Sequence, residues 1–254
     1  MNEIESILEE FKKFNYTSHQ YPNAIGLWPN EQECFVWSLL QADPTKTWVE
    51  IGAFCGGSAV LMSLVSRFRG GKNNVVSVDL NFDMWGEIFD KNLYTIGNFT
   101  NCHKLECHSW DFSQNYTHGP ISFAFIDGWH SFASILVEFE QINEYMESGG
   151  LIAFHDTAKQ PYEPGELENY LKLAEIKFEY LSSEQKPSSS NDYHADEQRQ
   201  NFCVDEAIAF ILNEYSYELV TIPVMTNETH FDRAPLYARG TTSPYNAFVL
   251  IRKI

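Results

Sequence analysis

Basic residues are scarce. Only 17 lysines and arginines stand against 35 aspartates and glutamates, a formal net charge of −18 over 254 residues. So little cationic charge leaves no electrostatic footprint for a phosphate backbone or an anionic bilayer, so neither nucleic acid nor membrane is expected as a partner. The acidity itself reads as a solubility feature. No apolar run approaches the ~20 residues of a membrane span, and the N-terminus is acidic and amphipathic rather than basic then apolar, so a cytoplasmic location is expected. Cysteine is thin as well. The thiols at 34, 55, 102, 107 and 203 show no framework spacing, and the pair at 102 and 107 lacks a second pair to complete a zinc site. Reduced, mostly buried thiols are expected. The G-x-G-x-x-G of dinucleotide-binding turns is also missing.

The stretch that organises the chain runs from Thr47 to Met62, T-W-V-E-I-G-A-F-C-G-G-S-A-V-L-M. Trp48, Val49 and Ile51 make a buried strand, glycines follow at 52, 56 and 57, and Val60, Leu61, Leu64, Val65 and Phe68 then mark one helix face. Glycines serve where the backbone takes positive φ or a ligand approaches closely, and the N–H groups of a helix start favour an electron-rich partner. Glu50 would repel a pyrophosphate but suits an ammonium. Asp79, ending the next apolar run, stands where doubly wound folds place a ribose acceptor. An ammonium and a ribose in one ligand suggest S-adenosylmethionine. An ordinary βα turn or another nucleotide remains open.

Amphipathic helices are predicted around Ile4 to Phe11 and from an Asn30/Glu33 capping box to Asp43-Pro44. Strands follow at Asn74 to Leu80, Cys102 to Cys107, Ile121 to Ile126 and Leu151 to Phe154. Helices are expected near Met84 to Ile96 and from Phe132 through Met146, the latter stopped by Gly149-Gly150. A helix from Glu166 to Leu181, a polar stretch from Ser182 to Gln200, a helix carrying Val204 to Leu212 and strands at Glu218 to Met225 and Ala247 to Ile251 complete the chain. Pro223 confines the first of those strands to an end or an edge. Alternating strands and helices followed by a closing strand pair predict a doubly wound, mainly parallel seven-stranded α/β sheet with a Rossmann-like arrangement. One domain is expected, with an N-terminal helical cap (1–44), a core (45–156), an insertion or lid (157–202) and closing elements (203–254).

In such a sheet the ligand lies at the carboxyl ends of the strands, where Glu50, Asp79, Asp111, Asp127, His155 and Asp156 all fall. An unpaired carboxylate closing a buried strand is costly, which points to a task for Asp127. By itself His130 reads as an imidazole capping the next helix or packed beside Trp129, and Trp129 as core. Asp192, His194, Asp196 and Glu197 lie in the most polar loop and read as solvated surface.

These residues resemble a known family. E-I-G-A-F-C-G-G-S-A-V-L-M looks like the cofactor turn of class I S-adenosylmethionine-dependent methyltransferases, especially catechol O-methyltransferase. I-D-G-W-H (Ile126 to His130) with G-G-L-I-A-F-H-D (Gly149 to Asp156) resembles the bacterial metal-assisted O-methyltransferases of methyltransferase family 24. The resemblance spans about Trp48 to Thr157. It implies that Glu50, Gly52 and Ser58, with Phe54 and Gly56 in the same turn, hold the amino-acid end of the donor and Asp79 its ribose. Ser109, Trp110, Asp111 and Trp129 would lie near the adenine. Asp127, His155 and Asp156 would hold a divalent ion, magnesium or manganese, with His130 as general base.

One departure matters. Catechol O-methyltransferase carries a carboxylate then an amide where this chain has His155 then Asp156. Imidazole suits manganese, iron, cobalt or nickel better than magnesium, so either the ion differs or His155 is not a ligand. Adjacent strand residues face opposite ways, which also allows Asp156 to bind alone.

The expected activity is methyl transfer to a hydroxyl of a small molecule, a vicinal diol of a sugar, natural product or phenol. A homo-oligomer is compatible with the chain. The alternatives are a metal-independent small-molecule methyltransferase and a non-catalytic S-adenosylmethionine-fold binding protein. Methylation of base amines is disfavoured by the lack of an N-P-P-Y-like turn after the fourth strand, and a nicotinamide oxidoreductase by the glycine spacing.

Overall fold

The computed structural model describes residues 2–13, 27, 29–71, 73–96, 101–157, 165–183, 204–223 and 248–254. Helices α1 (Glu3–Lys12) and α2 (Pro29–Gln41) precede β1 (Thr47–Ile51), α3 (Gly57–Phe68), β2 (Val75–Asp79), α4 (Phe82–Ile96) and β3 (Cys102–Glu106). A 3-10 turn (Ser109–Asp111) and the one-turn α5 (Phe112–Asn115) lead to β4 (Ile121–Ile126), α6 (Phe132–Asn143) and β5 (Met146–His155). Then come α7 (Glu166–Ser183), α8 (Val204–Glu214), β6 (Tyr217–Leu219) and β7 (Phe248–Lys253).

The seven strands form one sheet in the order β3-β2-β1-β4-β5-β7-β6, parallel except for β7, which runs antiparallel to both β5 and β6. Chain direction along the sheet reverses between β1 and β4, the place where open α/β sheets leave a crevice. Ile51 pairs with Val78 on one side and with Ile126 on the other, so three strand ends are level there.

Two apolar layers sandwich the sheet because alternate strand residues face opposite sides. Trp48, Phe123, Phe125, Ala153 and Leu250 join α1 to α4, while Val49, Ile51, Ala124, Ile126, Ile152 and Val249 join α6 and α8. Phe35 anchors α2 to the first layer through edge contacts with Phe125 at 4.8 Å and Phe123 at 5.7 Å, geometry that adds to the area it buries. Among the described residues no helix is long and apolar enough to cross a membrane.

The order of the strands and of the longer helices matches the sequence reading; the 3-10 turn and α5 between β3 and β4 are additions to it, the strand expected from Glu218 ends at Leu219, and one helix boundary needs correction. The helix after β4 ends at Asn143, and Met146, expected on its apolar face, is the first residue of β5. Gly149-Gly150 therefore does not stop a helix but lies inside a strand. The pairing passes from Ile121↔Met146 to Phe123↔Leu151, so residues 147–150 bulge out, and Gly149 takes a φ of +82° that a side chain would resist. Cys34 and Cys55 are buried and free, and Cys102 and Cys107 are free and half-buried; Cys203 lies outside the described residues. So do the Asn30 side chain, the polar loop from 184 to 203, the 192–197 acids and the outer ends of the last two predicted strands.

Candidate active site

A cavity of about 730 Å³ opens over the carboxyl ends of β1, β2 and β4. Its floor is set by a close approach of two turns. Gly52, at φ +92°, lies so near the Asp127 carbonyl that any Cβ would collide with it, and Asp127 N donates to Ile51 O at 3.0 Å. Phe54, next along the turn, takes the left-handed φ of +43°, a strained value for a bulky residue. Its N–H donates at 2.8 Å to Asp79 Oδ2, while Asn81 N donates at 2.8 Å to Oδ1. Two backbone donors thus aim the Asp79 carboxylate at the cavity it lines.

Gly52, Phe54, Asp79, Ser109, Asp127 and Trp129, all named from the sequence, line this space. Trp129 is 40% exposed, so it is a wall of the cavity and not core packing. Gly56 caps α3 from the left-handed region at φ +80°. Trp110 and Asp111 lie in the turn behind Ser109, outside the lining. Glu50 is likewise brought close but not into contact: it is fully buried beneath the turn, where Ser58 Oγ donates to Glu50 Oε2. Burial pushes the Glu50 carboxyl up to about 8, against the pull of the Ser58 and Ser77 hydroxyls, and the nearby Asp127 charge adds to the rise.

Beside the cavity, Asp127, His130, His155 and Asp156 converge, each offering a ligand atom within 4.8 Å of the others. His155 Nδ1 lies 2.9 Å from Asp127 Oδ1, His130 Nε2 lies 3.2 Å from the same oxygen, and His130 Nδ1 lies 3.2 Å from Asp156 Oδ2. Strand alternation would have parted His155 from Asp156. Asp156 instead takes a left-handed φ of +54°, a conformation Asp tolerates, and this kink turns both residues toward Asp127. His130 does not cap α6; Ser131 does, accepting from Ser134 N at 3.2 Å.

Burial works against charge on Asp127, yet His155 and His130 outweigh it and hold the carboxyl well below its usual range. Burial likewise opposes protonation of His155 and His130, and the carboxylates around them raise both imidazoles above the usual value, His155 the more strongly. The cluster therefore balances its charge with protons.

Two acids of the site were not singled out from the sequence. Glu31 on α2, 1% exposed, reaches His155 Nε2 at 3.3 Å and so links the N-terminal helices to the cluster. Glu138 on α6, also 1% exposed, lines the cavity and accepts from Ser109 Oγ at 2.7 Å. Each stands in register with a buried stripe: Glu31 precedes Phe35 and Leu39 at intervals of four, and Glu138 follows Ser131 and Ser134 at intervals of three and four. An acid in phase with buried residues was the available signal.

Residues 49–157 match a family described as a methyltransferase domain. The fold is similar to that of an O-methyltransferase from Bacillus cereus in complex with SAH, at 16% identity and a TM-score of 0.54, covering 99% of this chain and 90% of that one. It is similar also to TomG, an O-methyltransferase of Streptomyces achromogenes involved in tomaymycin synthesis and solved with SAM, at 12% identity and a TM-score of 0.55, covering 100% and 90%. An rRNA methylase from Streptococcus thermophilus shares the fold at 13% identity and a TM-score of 0.50, covering 90% and 98%. The match over the sheet core, the strand order and the placement of the cavity agree: residues 49–157 are similar to a methyltransferase domain, and the chain has the Rossmann-like fold of its structural neighbours.

Proposed function

We propose that the protein transfers a methyl group from S-adenosylmethionine to a hydroxyl of a small molecule, assisted by a divalent ion. The observation that carries this reading is the meeting of the four-residue cluster with the cavity at a shared residue, Asp127. Asp79, aimed by its two backbone donors, would receive the ribose hydroxyls, and the turn from Gly52 to Phe54 would carry the amino-acid end of the donor. Glu50 and Ser58 would support that turn from below rather than touch the donor.

Asp127, Asp156 and His155 suit a divalent ion: two carboxylates and one imidazole with Nδ1 turned inward. This mixed set fits manganese at least as well as magnesium. Glu31 behind Nε2 fixes the His155 ring and its tautomer, as outer acids do for metal-bound imidazoles. When bound, the ion would lower the pKa of an acceptor hydroxyl by its charge. His130, wedged between the two carboxylates, would take the proton. Its own raised pKa makes it a poor base while those carboxylates are uncompensated; once their charge is met, its pKa falls toward neutrality.

A small acceptor is favoured over RNA by the net charge of −18, although one structural relative is an rRNA methylase. The test is calorimetric titration with S-adenosylmethionine and with NAD, followed by assays of S-adenosylhomocysteine release on sugar and aromatic vicinal diols. Uptake of the sulfonium donor alone, with turnover abolished by chelator, is the expected result. Turnover undiminished by excess chelator would remove the ion from the reaction. Donor uptake without turnover on any diol would favour a non-catalytic binding protein.

A further inference from the structure

Residues 85, 89 and 92 of α4, spaced by four and then three, lie on one face of that helix, and each meets the turn between β1 and α3. The Trp85 ring packs edge-on against Phe54, their centroids 4.9 Å apart. Phe89, fully buried, fills the space beside Gly56, where any Cβ would fall 2.6 Å from its ring. Asn92, 1% exposed, donates from Nδ2 to the buried Cys55 carbonyl at 2.8 Å. Phe54, Cys55 and Gly56 are thus held by one stripe of α4.

The turn needs such holding. Phe54 takes a φ of +43° and Gly56 a φ of +80°; glycine accepts that region freely, whereas a phenylalanine persists there only where its surroundings fix it. The peptide between Cys55 and Gly56 is tied at both ends: Gly56 N donates to Ala53 O at 2.8 Å, inside the turn, and the Cys55 carbonyl accepts from Asn92, outside it. Rotating that peptide would draw the carbonyl off Asn92 and free Phe54 to relax toward negative φ. The Phe54 N–H would then leave Asp79 Oδ2, which it reaches at 2.8 Å, and the carboxylate would lose one of the two donors that aim it.

We propose that Asn92 is a positioning residue of the donor site: by holding the Cys55 carbonyl against α4, it keeps the 54–56 turn in the form that aims Asp79 into the cavity. Asn92 lies outside the cavity lining, so its effect reaches the donor only through the turn. The assignment rests on S-adenosylmethionine being the donor. An amide suits the task because it presents an N–H donor without the charge that a buried lysine or arginine would have to desolvate.

The experiment is calorimetric binding of S-adenosylhomocysteine to wild type, Asn92→Leu and Asn73→Leu, with hydrogen exchange followed across residues 52–58. Asn73 is the control: it is a buried amide, 2% exposed, bonded to Ser66 Oγ at 2.6 Å beyond the far end of α3. Both substitutions remove a buried hydrogen bond, and both should lower the denaturation midpoint. Asn92→Leu alone should weaken S-adenosylhomocysteine binding, by roughly 10-fold, and speed exchange across 52–58. If that variant does not fold, Asn92→Ser, shorter and still polar, replaces it in the same comparison. Unchanged affinity in the Asn92 variant, an equal loss in Asn73→Leu, or a loss with exchange across 52–58 unchanged would each make Asn92 a mere fastener of α4 and overturn the proposal. A wild type that takes up no S-adenosylhomocysteine overturns the donor reading and this assignment together, a result distinct from the others.

Discussion

Glu50 and Asp127 are carboxylates at the ends of neighbouring strands, Glu50 fully buried and Asp127 partly so, yet their surroundings drive them in opposite directions. Glu50 has hydroxyls and no cation beside it in the described residues and is pushed up to about 8, so at neutral pH it is largely a neutral acid under the glycine turn. Asp127 has two imidazoles and stays ionised. Desolvation acts alike on both, and the difference comes from partners. One half of the rim is therefore a quiet support for a turn, and the other is a concentration of charged groups. The proposed function puts the chemistry in the second half.

The sharpest way to break this contrast is Asp127→Ala. It should cut turnover by about 10³-fold and abolish stimulation by divalent ions, while donor affinity, measured by calorimetry, falls far less. Loss of donor affinity on the same scale as turnover would merge the two halves into one. Next in size is His130→Asn, for which kcat is expected to fall by about 10²-fold and the acid limb of the pH–rate profile to disappear, with the affinity for manganese little changed. A large loss of manganese affinity would make His130 a ligand instead of the base. Glu31→Gln is expected to weaken manganese binding by about 10-fold, the effect usual for an outer partner of a metal-bound imidazole. An unchanged constant would restrict Glu31 to packing.

The smallest effect falls on the quiet half. The folded pKa of Glu50 lies above its ordinary value of 4.5, so the stability linked to it is complete below about pH 4.5 and declines as the pH rises toward 8. The decline is at most about 1.4 kcal/mol per pH unit. Glu50→Gln should flatten the denaturation midpoint across that window. A wild-type midpoint as flat as that of the variant would show that Glu50 ionises freely.

Much of this site was legible in the sequence because its acids close strands, and strand ends can be read from apolar runs. Ile121 to Ile126 followed by Asp127, and Val75 to Val78 followed by Asp79, placed both carboxylates at the rim before any coordinates. Two features escaped. The left-handed turn at Asp156, which brings His155 and Asp156 to one side, is a backbone choice that leaves no pattern in residue types. The roles of Glu31 and Glu138 depend on what lies across from their helices, which periodicity cannot name, even though both acids stand in phase with buried residues. The Gly149-Gly150 bulge was mistaken for a helix stop because glycines interrupt strands and end helices alike. Glu50, an acid two residues before the glycine turn, could face either way along the strand, and its burial beneath the turn is not written in that spacing.

The most direct measurement is a calorimetric titration of the protein with manganese near pH 7, repeated in buffers of different ionisation enthalpy. The carboxylates around His155 hold its imidazole well above the usual range, and an ion at Nδ1 must displace the proton there, so the account predicts one tight site whose binding releases protons and weakens as the pH falls. Absence of binding, or binding with no proton release, would contradict it, because the cluster would then be a self-satisfied network of ion pairs and not a metal site.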